Sequence, residues 1–183
     1  FPGTPFVGME PAVKPAVGST NTGTVGVLAT EATIKGKLFG SLLDRYADDA
    51  TVLTQACPGL VELVEKENYD PRQARALIKR YAQPLLDLGA DTLVLGCTHY
   101  SFLKAELQDI VGSNVAIIDP APAVADQVTR VLTEKSLRSK SELEENPNLI
   151  VVCTTDSNQA GRLSRQAQSL LGEPVQLRIV ELN

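Results

Sequence analysis

Short apolar runs alternate with longer segments of helical spacing from Thr24 to the end of the chain, and this alternation constrains the fold more than any other feature. We interpret the apolar runs as strands over residues 24–29, 51–54, 91–96, 115–119, 149–153 and 175–180. The intervening segments predict helices over 34–48, from Pro58, after the cap Asp70, over 101–111, over 121–133 and from 156 or 157 to 171. Strands that alternate with helices form βαβ units, so the sequence predicts an α/β fold with a parallel sheet flanked by helices.

Composition and charge exclude several classes of protein. With 183 residues, of which 43% are hydrophobic and 21% charged, the chain can bury a core without disulfides. The net charge of −5 argues against a nucleic-acid partner, which requires clustered Lys and Arg. No run of about 18 apolar residues occurs, so we expect no membrane span. Three widely spaced cysteines without a secretory signal favour a reduced, cytoplasmic compartment.

The only histidine of the chain stands two residues after a cysteine, at the end of a predicted strand. The strand over 91–96 delivers Cys97 to its carboxyl end, where ligands bind in α/β sheets. A thiol with an imidazole beside it, here His99, has the parts needed for proton or nucleophile chemistry. A packing cysteine and a hydrogen-bonded core histidine are the alternative. We expect no metal, because Cys-x-His supplies two zinc ligands and structural zinc sites use four with short paired spacings.

Two threonines mark a second candidate position. Thr30 and Thr33 follow the first clear strand and precede a helix. Hydroxyls at a helix N-terminus suit a carboxylate, since free backbone donors already favour an anion there. Ordinary N-capping explains the same residues equally well. Of the other cysteines, we interpret Cys57 and Cys153 as packing residues. No glycine-rich phosphate loop occurs, so the sequence gives no support for a nucleotide cofactor.

Five motifs in order identify a family resemblance. They are Gly-Met-Glu-Pro-Ala-Val-Lys-Pro-Ala at 8–16, Val-Gly-Val-Leu-Ala-Thr at 25–30, Ala-Cys-Pro at 56–58, Leu-Gly-Cys-Thr-His-Tyr at 95–100 and Asp-Pro-Ala at 119–121. With these motifs the chain resembles glutamate racemases, cofactor-independent enzymes that make D-glutamate for bacterial peptidoglycan. The resemblance runs from Phe1 to about Asp126 and continues weakly to the end.

The resemblance implies a mechanism with two thiols, in which one removes the α-proton of glutamate and the other returns a proton to the opposite face. Cys97 matches the second catalytic cysteine of the family, and His99 matches the residue that assists it and contacts substrate. Glu65 matches an acidic catalytic residue, although by itself it reads as an exposed helix carboxylate. Thr98, Thr30 and Thr33 match positions that hold the substrate's carboxylate and amino groups. Neither a cofactor nor a metal is implied.

Two family motifs are not found in this chain. These are Ala-Cys-Asn-Thr-Ala, with the first catalytic cysteine, and Asp-Ser-Gly near the N-terminus. We therefore expect residues 1–121 to form one racemase-type domain. Residues 122–183 would supply a helix, a polar linker and a βαβ segment that complete an absent N-terminal domain. The isolated chain is then expected to be inactive. A smaller departure is Ser101-Phe102, where Pro-Leu is usual.

Other functions fit the same residues. A two-cysteine racemase acting on aspartate would need the same groups, because one methylene changes pocket affinity by only about 1–3 kcal/mol. A truncated binding protein that holds acidic amino acids without turnover is the alternative outside enzymes. A homodimer is compatible with the resemblance.

Overall fold

A computed structural model describes residues 3–46, 48–66, 70–138, 149–153, 160–172 and 175–179, with backbone alone for 149–153 and 176–179. The strands are β1 (Thr24–Ala29), β2 (Thr51–Ala56), β3 (Thr92–Gly96), β4 (Ala116–Ile118), β5 (Leu149–Cys153) and β6 (Val175–Ile179). The helices are α1 (Val13–Ser19), α2 (Glu31–Ile34), α3 (Lys37–Asp44), α4 (Leu60–Val64), α5 (Pro71–Asp87), a 3₁₀ helix (Thr98–Leu103), α6 (Lys104–Val111), α7 (Ala121–Glu134) and α8 (Ala160–Leu171). No helix within these ranges is long and apolar enough to cross a membrane.

Four parallel strands form the main sheet, in the order β2-β1-β3-β4. The register pairs Ala29 with Ala56 on one side and with Gly96 on the other, so three strands reach their carboxyl ends at the same level. The predicted α/β fold with a helix-flanked parallel sheet is confirmed.

Alternate residues of the central strands enter two separate layers of the core. On one face, α1 and α3 pack on the sheet through a cluster of apolar side chains: Val13, Ala16, Val25, Val27, Ala29, Phe39, Leu42 and Val94. On the other face, α4, α5, the 3₁₀ helix and α6 surround a second group: Leu28, Leu60, Ile78, Tyr81, Leu95, Tyr100, Leu103 and Leu107. Because β1 and β3 are buried on both faces, they are nearly continuous in apolar residues, as parallel strands require.

The structure corrects several predicted helix boundaries. The single helix predicted over 34–48 is wrong: α2 and α3 are separate, because Gly36 is extended and caps the start of α3. The helix expected from Pro58 begins at Leu60, after a turn in which Gly59 takes a positive φ of 87°. The helix expected at 101 begins three residues earlier, as a 3₁₀ turn. Helix α1 was not predicted from the sequence.

Contacts divide the chain into two compact units, of which the first comprises residues 1–64 and 69–137 and contains the four-stranded sheet. Helix α7 belongs to this first unit, whereas the predicted domain boundary at 121 lies at the start of that helix. The second unit comprises residues 65–68 and 138–183. In it β5 and β6 pair in parallel and α8 lies between them in sequence, which makes a βαβ segment.

A carboxylate joins the starts of β1 and β3, at the amino edge of the main sheet. Asp91 accepts hydrogen bonds from the Thr20 hydroxyl (2.5 Å), from the backbone N–H groups of Asn21 (2.7 Å) and Thr22 (3.0 Å), and from the Thr92 hydroxyl (3.1 Å). Desolvation raises the pKa of this carboxyl, but the four hydrogen bonds lower it more and hold it at about 2, against 3.8 ordinarily. The ionised form is therefore part of the folded structure.

We expect Asp91→Asn to lower stability at neutral pH and to flatten its acid dependence. Because folding lowers the pKa of Asp91, its contribution is complete above the ordinary value of 3.8 and is lost as pH falls through about 2. Urea titrations at a series of pH values measure this loss.

The control for this experiment is Thr22→Val. It removes the hydroxyl that donates to the Gly89 carbonyl (2.8 Å) but keeps the Thr22 N–H that donates to Asp91. It should lower stability and leave the acid dependence as in the wild type. Identical acid slopes for Asp91→Asn and the wild type would contradict the assignment.

Candidate active site

The sheet has a point at which its strand order reverses. From β1 the chain moves outward to β2, returns to β3 on the other side of β1, and continues outward to β4. The crevice beyond the carboxyl ends of β1 and β3 is therefore the switch point at which α/β sheets bind ligands. Thr30 directly follows β1 and Cys97 directly follows β3. The register of Ala29 with Gly96 places these two residues at the same level.

Cys97 and His99 lie together at the start of the 3₁₀ helix. The Cys97 Sγ is 3.9 Å from Nδ1 of His99, and the Thr98 Oγ1 is 3.4 Å from the same nitrogen. Cys97 and His99 are half-buried, and Thr98 is exposed. A thiol that can exchange a proton with an imidazole and is open to a cleft can serve as an acid or a base. The structure thus brings together the pair that the sequence singled out.

Thr30 and Thr33 are held against each other at the start of α2. The Thr30 Oγ1 accepts a hydrogen bond from the Thr33 N–H (3.2 Å), and the two hydroxyl oxygens are 2.9 Å apart. The N-capping interpretation of Thr30 is therefore correct. Both threonines also line the cleft beside Cys97, so capping leaves them available to a ligand.

The cleft has a volume of about 250 Å³. Its lining combines the predicted residues with a segment that precedes α1: Met9, Glu10, Pro11, Thr30, Thr33, Leu95, Gly96, Cys97 and Thr98. Residues 8–16 carry a family motif in the sequence but were not predicted to belong to the site. Glu10 is the one carboxylate among these lining residues. That segment has no strand or helix periodicity, so only its motif could have identified it.

Glu65 is not among the residues that line the cleft. This residue is exposed and directly follows α4. It is assigned to the second compact unit. Its participation in the site stays a prediction. Among the described residues, no group of three His, Cys, Asp or Glu side chains is placed to hold a metal ion.

Cys57 lies at the same edge of the sheet but in a different environment. It follows β2, is 2% exposed and has its Sγ 3.3 Å from the Gln55 carbonyl oxygen, to which the thiol donates. Burial raises the pKa of this thiol to about 12; a backbone hydrogen bond at Ala29 lowers it, and nearby Cys97 raises it. Cys57 stays protonated near neutral pH and cannot act as a base there. Its interpretation as a packing residue is confirmed.

Gly96 brings the backbones of β1 and β3 close together just before Cys97. A Cβ at this position would lie 2.8 Å from the Leu28 carbonyl oxygen, 2.9 Å from the Ala29 Cβ and 3.3 Å from the Val27 Cγ1. The nearest of these is a backbone atom of the neighbouring strand and has no room to yield. Glycine at this position therefore allows β1 and β3 to pack closely beneath the cleft.

Comparisons with known proteins agree with this site. The sequence profile described as Asp/Glu/Hydantoin racemase matches residues 2–128. A glutamate racemase of Pseudomonas entomophila is 51% identical over 145 residues, which are 79% of this chain and 55% of that protein. One of Herpetosiphon aurantiacus is 52% identical over 132 residues, which are 72% of this chain and 52% of that protein.

Solved structures show the same architecture. An Escherichia coli glutamate racemase superimposes with a TM-score of 0.73 at 25% identity, covering 95% of this chain and 64% of that one. A Bacillus anthracis glutamate racemase isoform gives a TM-score of 0.74 at 27% identity, covering 92% and 61%.

Fold and site together define an α/β protein with a cysteine-centred cleft at the switch point of its sheet. The chain belongs to the Asp/Glu/Hydantoin racemase family. It spans about half the length of the curated relatives it matches.

We expect Gly96→Ala to destabilise the chain by about 1–3 kcal/mol, because the added methyl overpacks the β1–β3 contact. Equilibrium unfolding in urea measures the change. The matched control is Gly40→Ala within α3, where a Cβ meets nothing within 4 Å. That exchange should be neutral or stabilise by up to about 1 kcal/mol, since alanine is the better helix former. Equal stabilities of the two variants would show that the contact at Gly96 is not tight.

Proposed function

We propose that this chain carries the Cys97 half of a cofactor-independent amino-acid racemase site whose substrate is glutamate. The observation that carries the proposal is a half-buried thiol at the switch point, 3.9 Å from an imidazole nitrogen and sharing its cleft with a pair of threonine hydroxyls. The family supports racemisation as the reaction. The substrate is supported by relatives described as glutamate racemases and by the Escherichia coli structure, described as a complex with L-glutamate.

In the proposed reaction, Cys97 serves one face of the substrate's α-carbon. Its thiolate takes the α-proton in one direction, and its thiol returns a proton in the other. The electron pair of the broken C–H bond stays on the substrate and is spread into the α-carboxylate. His99 exchanges a proton with the thiol and keeps it in the form that each direction needs. A second thiol on the opposite face completes the reaction.

The rest of the cleft suits an acidic amino acid. The hydroxyls of Thr30, Thr33 and Thr98 can donate to the substrate's carboxylates, which must be stabilised as negative charge develops. Glu10 offers a carboxylate to the ammonium group. Glu65 is proposed, on the family resemblance alone, as an acidic residue of the complete site. The product, D-glutamate, would serve cytoplasmic synthesis of peptidoglycan precursors.

Replacement of Cys97 tests the assignment directly. In the complete gene product, Cys97→Ala should lower kcat for L- to D-glutamate by about 10²-fold or more, because one face of the α-carbon loses its proton carrier. Cys97→Ser should be nearly as impaired, since a hydroxyl is a much poorer acid or base near neutral pH. Circular dichroism of both substrate enantiomers measures the rates.

Cys57→Ala is the matched control, because it removes a thiol at the same sheet edge that is buried and protonated. It should lower stability and keep most of the activity. If Cys97→Ala kept more than about a tenth of the wild-type kcat, the proposal would be overturned.

We also expect the 183-residue chain by itself not to racemise glutamate. Two thiols must face opposite sides of the α-carbon, and Cys57 is not a candidate for the second because it is buried and is not among the residues that line the cleft. The third cysteine, Cys153, ends β5 in the second unit. Incubation of the chain with L-glutamate, followed by chiral chromatography, measures the activity. Sustained formation of D-glutamate, abolished by Cys153→Ser, would identify an internal second thiol and refute this expectation.

A further inference from the structure

Two consecutive residues of the 3₁₀ helix are fixed to different strand ends of the sheet. Tyr100 reaches toward the residue that follows β2, and Ser101 reaches toward the residue that follows β4. In the strand order these two ends lie on opposite sides of β3. The segment that carries Cys97 and His99 is therefore held from both directions along the carboxyl edge.

The Tyr100 anchor is buried. Its hydroxyl donates to the Cys57 carbonyl oxygen at 3.3 Å, and the side chain is 2% exposed. Burial is the largest cause that raises the pKa of this phenol well above its ordinary value, and the nearby Cys57 and Cys97 raise it further. The phenol therefore remains a hydrogen-bond donor. The Cys57 carbonyl also accepts from the Leu60 N–H, at 3.3 Å. Loss of the phenol hydroxyl would leave that carbonyl with a partner.

The Ser101 anchor lies on the other side. Its hydroxyl donates to Oδ1 of Asp119 at 2.8 Å, in a partly buried position. The same oxygen accepts from the Ala121 N–H at 3.0 Å, at the start of α7. Asp119 therefore stays fixed when Ser101 is changed.

We propose that Tyr100 and Ser101 are positioning residues that hold the Cys97 thiol within reach of the His99 imidazole. Neither residue is among those that line the cleft, so both act through the segment they fix. A 3₁₀ turn has poorer hydrogen-bond geometry than an α-helix, and external anchors compensate for this. The inference rests on the proposed role of Cys97 as a proton carrier, since that role makes the thiol–imidazole distance matter.

The test measures alkylation of Cys97 by iodoacetamide in the 183-residue chain, with peptide mass spectrometry to separate Cys97 from the other two cysteines. Rates are compared at about pH 7 and about pH 9.5, because only the thiolate reacts. The rate at about pH 7 divided by the rate at about pH 9.5 reports the thiolate population near neutral pH. A change in the accessibility of the thiol alone alters both rates by the same factor and leaves this ratio unchanged. No turnover is needed, so the outcome is independent of whether the chain racemises glutamate.

Tyr81→Phe is the matched control for Tyr100→Phe. The Tyr81 hydroxyl donates to the carbonyl of Pro58 at 2.8 Å, one residue beyond the Tyr100 acceptor, but Tyr81 lies on α5. Both variants remove one hydroxyl from a buried ring and should lower the melting temperature similarly. Only the Tyr100 variant releases the 3₁₀ segment. At the second anchor, Ser101→Ala removes the hydroxyl, and Ser101→Thr is the control that keeps one.

We expect the rate ratio to fall about two- to fivefold in Tyr100→Phe and in Ser101→Ala, the effect of losing one hydrogen bond, and to stay unchanged in Tyr81→Phe and Ser101→Thr. An unchanged ratio in both anchor variants, or an equal fall in Tyr81→Phe, would overturn the proposal. Should Tyr100→Phe not fold, as judged by circular dichroism, the pair Ser101→Ala and Ser101→Thr decides the question alone.

Discussion

The close pairing of β1 with β3 is the contact on which the rest of the structure depends. It needs a residue without a side chain at Gly96, where a Cβ would lie 2.8 Å from the Leu28 carbonyl oxygen. It also needs a fixed register, and the Asp91 carboxylate supplies one at the opposite edge by binding the residues before β1. The two strands are thus joined at both ends. Whatever follows them, including Thr30 and Cys97, has its position determined by this pair.

The two thiols at the carboxyl edge show how burial assigns different roles to the same chemical group. Cys57 follows an outer strand of the four-stranded sheet, is buried, and is held as a thiol by desolvation. Cys97 follows a central strand, but its side chain is half-buried at the mouth of the crevice. A position just beyond the end of β3 leaves the Cys97 side chain accessible, although four of the five residues of that strand are buried. The topology therefore determines which of these two cysteines is accessible from the cleft.

Much of this arrangement follows from the sequence, because hydrophobic periodicity is a local property, and so are the glycine, proline and capping residues that begin and end helices and strands. Apolar runs identified every described strand, and the motif around Cys97 identified residues that the structure brings together at the cleft. The division between α2 and α3 could not be predicted, since it depends on an extended Gly36 within an otherwise helical pattern. The position of Glu10 in the cleft lining was missed because its segment has no periodicity. The anchors Tyr100 and Ser101 depend on partners 43 and 18 residues away, which no local pattern reveals.

The threonine pair at the start of α2 has a consequence for how the cleft meets a ligand. Thr30 and Thr33 carry one hydroxyl hydrogen each. The hydrogen bond between them uses one of these two hydrogens, and either residue can be its donor. One hydroxyl hydrogen is free whichever oxygen donates. Each oxygen keeps its own hydrogen, and rotation about the C–O bond of both residues changes which hydroxyl presents the free one. The wall of the cleft can thus shift its donor by about 3 Å without any displacement of the backbone. A rigid fold can in this way present two alternative hydrogen-bonding patterns to a ligand in the cleft.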